Sequence, residues 1–240
     1  SAKESDRILA VSKTTKNDII STYSKNKKDI DITYNAPQKD FTPLSEKQKK
    51  TAQKNFAKGN PYFCFLGAFT PRKNLKTLVY AFNKWSLLNP NSNHQLVIAG
   101  RSLHQDEELN TALKNGNKKI LLPGFIPRNQ LNNFFGGATA FVFPSYFEGF
   151  GIPIIEAMAS NCLVLSSNSS CMPEIANDAA HYSRPEDIED WVCALNFAVK
   201  NEKDVELLKK KGLKRANYFK WEHSVDQVWK SFQEILPNEK

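Results

Sequence analysis

A chain of 240 residues with 40% hydrophobic and 11% aromatic side chains holds enough apolar material for one large buried core, which excludes wholesale disorder. Its formal net charge of +8 is unevenly spread: residues 1–60 carry 13 Lys/Arg against 7 Asp/Glu and residues 201–240 carry 9 against 7, while residues 61–200 balance at 11 each. A neutral centre argues against a nucleic-acid platform, which gathers cations and aromatics on its folded face. A solvated lysine surface is the plainer reading of the flanks, and attraction to an anionic membrane surface or an acidic partner the sharper one.

No apolar run reaches the roughly 20 residues of a membrane-spanning helix, and the polar start Ser1-Ala2-Lys3-Glu4-Ser5-Asp6 has no secretory apolar segment. The expectation is a soluble cytoplasmic protein, with peripheral attachment to the inner membrane face left open. Cys64, Cys162, Cys171 and Cys193 form no CxxC pair, and His94, His104, His181 and His223 show no metal-site spacing, so no metal is expected.

Along the chain, Arg7 to Val11 reads as a strand ending at Ser12, a helix cap for residues through Tyr23, and Asp29 to Tyr34 alternates as a second strand. Ser45 to Lys58 reads as an amphipathic helix, followed by the break Gly59-Asn60-Pro61, where the domain boundary is placed. Apolar runs then alternate with helical spacing: Tyr62–Leu66, helix Leu75–Trp85, Gln95–Ala99, Lys119–Leu122, a helix from Pro127 to Gly136-Gly137, Thr139–Phe143 and Cys162–Leu165. The tail reads as helices over about Val205–Tyr218 and Glu222–Ile235. Short, continuously apolar strands between helices predict an α/β fold, a Rossmann-like parallel sheet covered on both faces. Ligands bind such sheets at the carboxyl ends of the strands.

Two strand-end loops carry chemistry. The run Phe143 to Met158 turns through Gly149 and Gly151 and enters a helix near Pro153. Its glycines let backbone N–H groups approach a ligand, and the helix start favours phosphate. Glu148 sits in the loop, and Glu156 lies one turn into the helix, far enough back to meet hydroxyls. A capped turn and a surface glutamate are the bland alternative. Gly67 to Asn74 places Arg72 and Lys73 at another helix start, where cations call for an anion.

Glu148 and Glu156, with seven residues between them in EGFGIPIIEAMA, resemble the donor-site motif of glycosyltransferase family 4. So do GAFTPRKNL at 67–75, LVIAG at 96–100, LPGFIP at 122–127, FVFPSYFEGFG at 141–151 and MPEIANDAAHY at 172–182, all in family order. RILAVSKTTKNDI at 7–19 and IDITYNAP at 30–37 look like the last βαβ unit of that family's N-terminal domain.

The resemblance implies a GT-B fold: a short βαβ remnant of the acceptor-side lobe over 1–40, a helical linker over 41–60, a donor-binding domain over 61–220 and a crossover helix over 221–240. It implies a retaining transfer of a hexose, with mannose favoured, from a nucleotide-diphosphate sugar such as GDP-mannose to a saccharide or lipid-linked acceptor in bacterial surface-polysaccharide synthesis. By that resemblance Glu156 would take the ribose hydroxyls, Glu148 a hydroxyl of the donor sugar, and Lys73 with Arg72 the diphosphate. Backbone of Gly67 and of Gly149, Phe150, Gly151 and Ile152 would face sugar and phosphate, and Gly124, Phe125 and Ile126 the base. No metal cofactor would be needed.

Two departures stand out. Many family members carry Arg where this chain has Ala68, so Arg72 is ranked behind Lys73. Most of the acceptor-side lobe has no counterpart here, so the alternative is a non-catalytic sugar-nucleotide-binding subunit that needs a separate acceptor-binding chain. The apolar stripe Trp221, Val225, Val228, Trp229 and Phe232 is expected to pack the last helix on residues 6–35, in a reduced second lobe that leaves apolar surface exposed.

Overall fold

The computed structural model describes residues 2–101, 107–114 and 118–236; His104 and the end of the tail lie outside the described residues. A small lobe comes first. Strand β1 (Ile8–Ala10) leads into helix α1 (Lys13–Tyr23), whose cap Ser12 accepts from the Thr15 amide at 3.0 Å, and strand β2 (Ile30–Ile32) returns parallel to β1 with Ile8 opposite Ile30. Helix α2 (Glu46–Ala57) opens with a reciprocal cap, Ser45 and Gln48 each satisfying the other's amide.

The main domain alternates strand and helix. Its elements are β3 (Tyr62–Leu66), α3 (Leu75–Leu88), β4 (Gln95–Ala99), α4 (Glu107–Lys114), β5 (Ile120–Gly124), α5 (Arg128–Gly136), β6 (Ala140–Phe143), α6 (Ile152–Ala159), β7 (Leu163–Ser167), α7 (Met172–Ala176), β8 (His181–Ser183), α8 (Ile188–Lys200) and α9 (Glu202–Tyr218). The six strands are all parallel in the order β5-β4-β3-β6-β7-β8. Strand alternation sorts the side chains onto two faces. Tyr62, Cys64, Phe141 and Phe143 join one core with Phe134, Phe135 and Ile155, while Phe63, Phe65, Ala140 and Val142 join the other with Leu78, Phe82, Trp85 and Trp191. Both faces are therefore covered, as the continuous apolar runs require.

The last helix, α10 (Trp221–Gln233), crosses back to the small lobe as expected, but by a different face. Its Ser224 hydroxyl donates to the Tyr34 carbonyl and its Ser231 hydroxyl donates to Asp31 at 2.7 Å, while Arg7 bridges Asp31 and Glu234. Of the apolar stripe only Val228 is half-buried; Trp221, Val225, Trp229 and Phe232 are 44%, 64%, 59% and 49% exposed. The reason is size: two serines seven residues apart share one helix side, let the backbone approach β2 closely and satisfy buried acceptors there, which bulky indoles would prevent.

The strand ends at the top of the sheet close on one another through glycine. The Gly67 amide donates to the Ala99 carbonyl at 3.0 Å and the Gly100 amide to the Gly124 carbonyl at 2.9 Å. Gly100 has φ +142°, and a Cβ there would sit 1.8 Å from the Gly67 carbonyl oxygen. The contact is with backbone, so nothing can swing away. Gly100→Ala is expected to destabilise the fold by on the order of 2–4 kcal/mol in urea unfolding; an unchanged midpoint and slope would show that the close approach of Gly100 to the Gly67 carbonyl relaxes without cost.

Candidate functional site

In the order β5-β4-β3-β6-β7-β8 the chain reverses direction across the sheet between β3 and β6, and the loops after these two strands lie side by side there. The first loop passes Gly67 to a short helical turn, Pro71–Lys73, before Asn74 opens α3. Asn74 stands in the left-handed region at φ +52° and is 4% exposed. Its amide donates to the carbonyls of Pro144 at 3.1 Å and Pro185 at 2.6 Å, and its own oxygen accepts from Thr77 at 2.6 Å. One side chain thus fixes the basic turn against the roots of two other loops. Sequence reading missed this residue; its position directly after Arg72-Lys73 is the signal.

The second loop runs from Pro144 to Gly151, which caps α6 at φ +88° with no side-chain cap bond and no acid in the helix's first turn. The helix start therefore presents amides that no capping side chain satisfies, the arrangement that suits an anion. Arg72 and Lys73 converge on Glu148: Arg72 Nη1 lies 2.6 Å from one carboxylate oxygen and Lys73 Nζ 2.7 Å from the other. The Lys73 contact is an ion pair outside hydrogen-bond geometry, and its ammonium also sits 4.8 Å from the Phe143 ring centroid. A Cβ at Gly67 would lie in van der Waals contact with Lys73 Cε, at 3.4 Å. Arg72 also donates to the Phe147 carbonyl at 2.6 Å, and the Tyr146 amide donates to the Arg72 carbonyl at 2.9 Å.

The two carboxylates are perturbed in opposite directions. Burial alone would raise the Glu148 carboxyl, but Lys73 and Arg72 outweigh it and hold it below the usual range. Glu156 is 9% exposed, and burial pushes it up to about 7, with Arg128 pulling it down and Asp40 pushing it up. Among the described residues no ion pair or hydrogen bond holds its carboxylate. The structure therefore separates Glu156 from the Arg72–Lys73–Glu148 cluster and gives it Arg128 and Asp40 as charged neighbours, neither singled out by the sequence.

The remaining expected residues divide by what they can offer. Phe150 is buried at the seam of the lobes, its ring 6.1 Å from Tyr34 and 5.5 Å from Phe219, so only its backbone faces the loop. Ile126 is also buried, whereas Ile152 and Phe125 are exposed and Arg101 lies 5.5 Å over the Phe125 ring. Gly124 has φ +78° and open space where a Cβ would project. Gly149 touches the small lobe: its carbonyl accepts from Thr15 at 3.2 Å, and Val11 lies 3.5 Å from its Cβ position. Glu174 of α7 ties the lobes as well, accepting from the amides of Lys13 at 2.8 Å and Thr14 at 3.1 Å and from the Tyr34 hydroxyl at 2.8 Å. Helix α1 has no acid in its own first turn, so this carboxylate supplies the charge its dipole favours. A cleft of about 850 Å³ between residues 36–42 and the α9–α10 junction, lined in part by Phe41, Trp221 and His223, holds neither Glu148 nor Lys73. Among the described residues, no group of three His, Cys, Asp or Glu gathers where a metal could be held, and no helix is long and apolar enough to cross a membrane.

Strand order and the paired loops at its reversal define a doubly wound α/β domain of the Rossmann kind, with the fold seen in GT-B glycosyltransferases. Residues 46–215 match the family described as glycosyl transferases group 1. The chain is 27% identical over 229 residues to O-antigen chain mannosyltransferase B of Escherichia coli, covering 94% of this chain and 60% of that one. It is 32% identical over 200 residues to O-antigen chain mannosyltransferase RfbU of Salmonella typhimurium, covering 81% and 51%. Among solved structures, Anabaena Alr3699/HepE in complex with UDP-glucose superposes with a TM-score of 0.87 at 13% identity over 98% of this chain and 65% of that one. Sucrose-phosphate synthase from Thermosynechococcus elongatus gives 0.81 at 20% identity over 98% and 59%. The chain belongs to the glycosyl transferases group 1 family, and it spans about half to two thirds of the length of these relatives.

The raised Glu156 carboxyl makes a signed prediction. Its folded value of about 7 lies above the ordinary 4.5, so the fold holds its proton longer than the unfolded chain does. That contribution to stability is full below about 4.5 and is lost as pH rises through about 7. Glu156→Gln is expected to gain on the order of 3 kcal/mol relative to the native chain between pH 4.5 and 8, read from denaturant midpoints. Parallel pH profiles for the two proteins would refute the assignment.

Proposed function

We propose that this chain is the sugar-nucleotide-binding part of a retaining glycosyltransferase that moves a hexose, mannose favoured, onto a saccharide or lipid-linked acceptor in surface-polysaccharide synthesis. The observation that carries the reading is the meeting of Arg72, Lys73 and Glu148 beside the uncapped start of α6 at the strand reversal. Two adjacent cations and a helix start suit a diphosphate, and a carboxylate beside them suits a hydroxyl-bearing sugar. The names of the O-antigen mannosyltransferases support mannose and the polysaccharide context, and the UDP-glucose held by the structurally similar HepE supports a sugar nucleotide.

In this reading the leaving diphosphate gathers negative charge as the glycosidic bond breaks, and Lys73, Arg72 and the α6 amides stabilise it without a metal ion. Glu156 accepts from the ribose hydroxyls, and backbone at Gly124 to Ile126 meets the base. The acceptor hydroxyl attacks from the face the diphosphate leaves and gives its proton to the departing diphosphate oxygen, which retains configuration, and the acceptor-side surface belongs to the lobe of which β1, α1 and β2 form one edge.

The test is a thermal-shift series with GDP, UDP, ADP and their sugar conjugates. A ligand at 100 times its Kd stabilises the native state by about 2.7 kcal/mol. Stabilisation by one nucleotide family, lost in Glu156→Ala, is the expected outcome; no shift with any of them would overturn the proposal.

A further inference from the structure

Glu148 is 8% exposed, and its backbone is braced from both sides. Its amide donates to the Ser170 hydroxyl at 3.3 Å, and that hydroxyl donates to its carbonyl at 2.9 Å. Only the side chain can move without disturbing the loop. That side chain holds both cations of the site, Arg72 at 2.6 Å and Lys73 at 2.7 Å. The cations differ in freedom: Lys73 is 12% exposed and Arg72 is 47% exposed, so Arg72 can swing toward solvent while Lys73 stays seated.

We infer that Glu148 is the internal anion of the donor site. In the free protein it occupies the cations a diphosphate would take, and the incoming diphosphate displaces it so that its carboxylate turns to accept a sugar hydroxyl. This rests on the donor-site reading above and adds to it a coupling between phosphate binding and sugar recognition.

The charges decide the direction of the exchange. One carboxylate neutralises half of the Arg72–Lys73 charge, whereas a diphosphate brings at least two negative charges and wins the competition for both cations. The displaced carboxylate is then buried beside phosphate, a like charge at close range, and its cost is relieved only by new hydrogen-bond donors. The hydroxyls of an attached sugar supply them. A nucleoside diphosphate without a sugar leaves the carboxylate unpaired. The site therefore favours the sugar nucleotide over the bare diphosphate, and once the sugar has been transferred Glu148 returns to its cations and helps expel the product.

Calorimetric titration of the native chain and of Glu148→Gln with inorganic pyrophosphate, GDP, GDP-mannose, UDP and UDP-glucose tests this. The native chain is expected to bind one sugar nucleotide more tightly than its matching diphosphate. In Glu148→Gln, pyrophosphate and that diphosphate are expected to bind on the order of tenfold more tightly, with the preference for the sugar form reduced by a similar factor. Glu148→Asn serves the same comparison if the Gln variant does not melt cooperatively. Unchanged or weaker pyrophosphate and diphosphate binding in the variant, with the native chain still binding a sugar nucleotide, would overturn the internal-anion role and leave the donor site standing. No binding of any sugar nucleotide by the native chain would overturn both.

Discussion

The pairing of β3 with β6 is a short seam, with Phe63 opposite Ala140 and Cys64 opposite Phe141, yet the site depends on it. Arg72 and Glu148 are separated by 75 residues of chain, and no local rule brings them together. Parallel pairing does, because parallel strands deliver their carboxyl ends to one edge of the sheet, and the reversal of strand order opens space between two neighbouring ends. The seam is secured from both faces by Phe134, Phe135 and Phe141 on one side and by Phe63, Leu78 and Phe82 on the other. Burial on both faces makes the register hard to slip, since a shift by one residue would exchange the two cores.

Above the seam, rigidity comes from side chain to backbone bonds. Asn74 spans from the basic turn to Pro144 and Pro185, Ser170 brackets Glu148, and the Ser167 hydroxyl donates to the Ser145 carbonyl at 2.6 Å. These small polar groups fix the path of the backbone without engaging the charged side chains. The contrast between the carboxylates follows. Glu148 is kept ionised by two cations, while Glu156, buried one turn into α6 with no ion pair among the described residues, keeps its proton to about pH 7.

Much of this is legible in sequence where the signal is local. The runs Tyr62–Leu66 and Gln95–Ala99 coincide with β3 and β4, and Ser12 and Ser45 cap the helices that their positions suggest. The pattern fades where elements are short or polar. Strand β8 is only His181-Tyr182-Ser183 and is held by its neighbour β7, whereas α8, capped by Asp187 and apolar at Trp191, Val192, Ala194, Leu195 and Ala198, carries a local signal that sequence reading passed over. In the site, Gly149, Gly151 and two adjacent cations are readable as an anion-binding arrangement. That the resident anion is Glu148 itself is not readable, because it depends on two strands meeting across the sheet. The α10 stripe misleads for a related reason: apolar periodicity marks a face, but the small hydroxyls of Ser224 and Ser231 decide which face can come close to β2.

The small lobe has a different mechanical character from the domain it sits on. Its strands are three residues each, α1 buries no side chain among the described residues, and α10 is anchored largely through hydroxyl and ionic contacts rather than through its indoles. Elements with so little buried apolar area open at lower free energy than a double-sided sheet. Partial openings of β1, α1 and α10 that leave β3, β4, β6 and β7 intact are therefore the expectation. Because Glu174 and Thr15 tie that lobe to α7 and to Gly149, an opening of the lobe would release two of the contacts that hold the glycine turn in place.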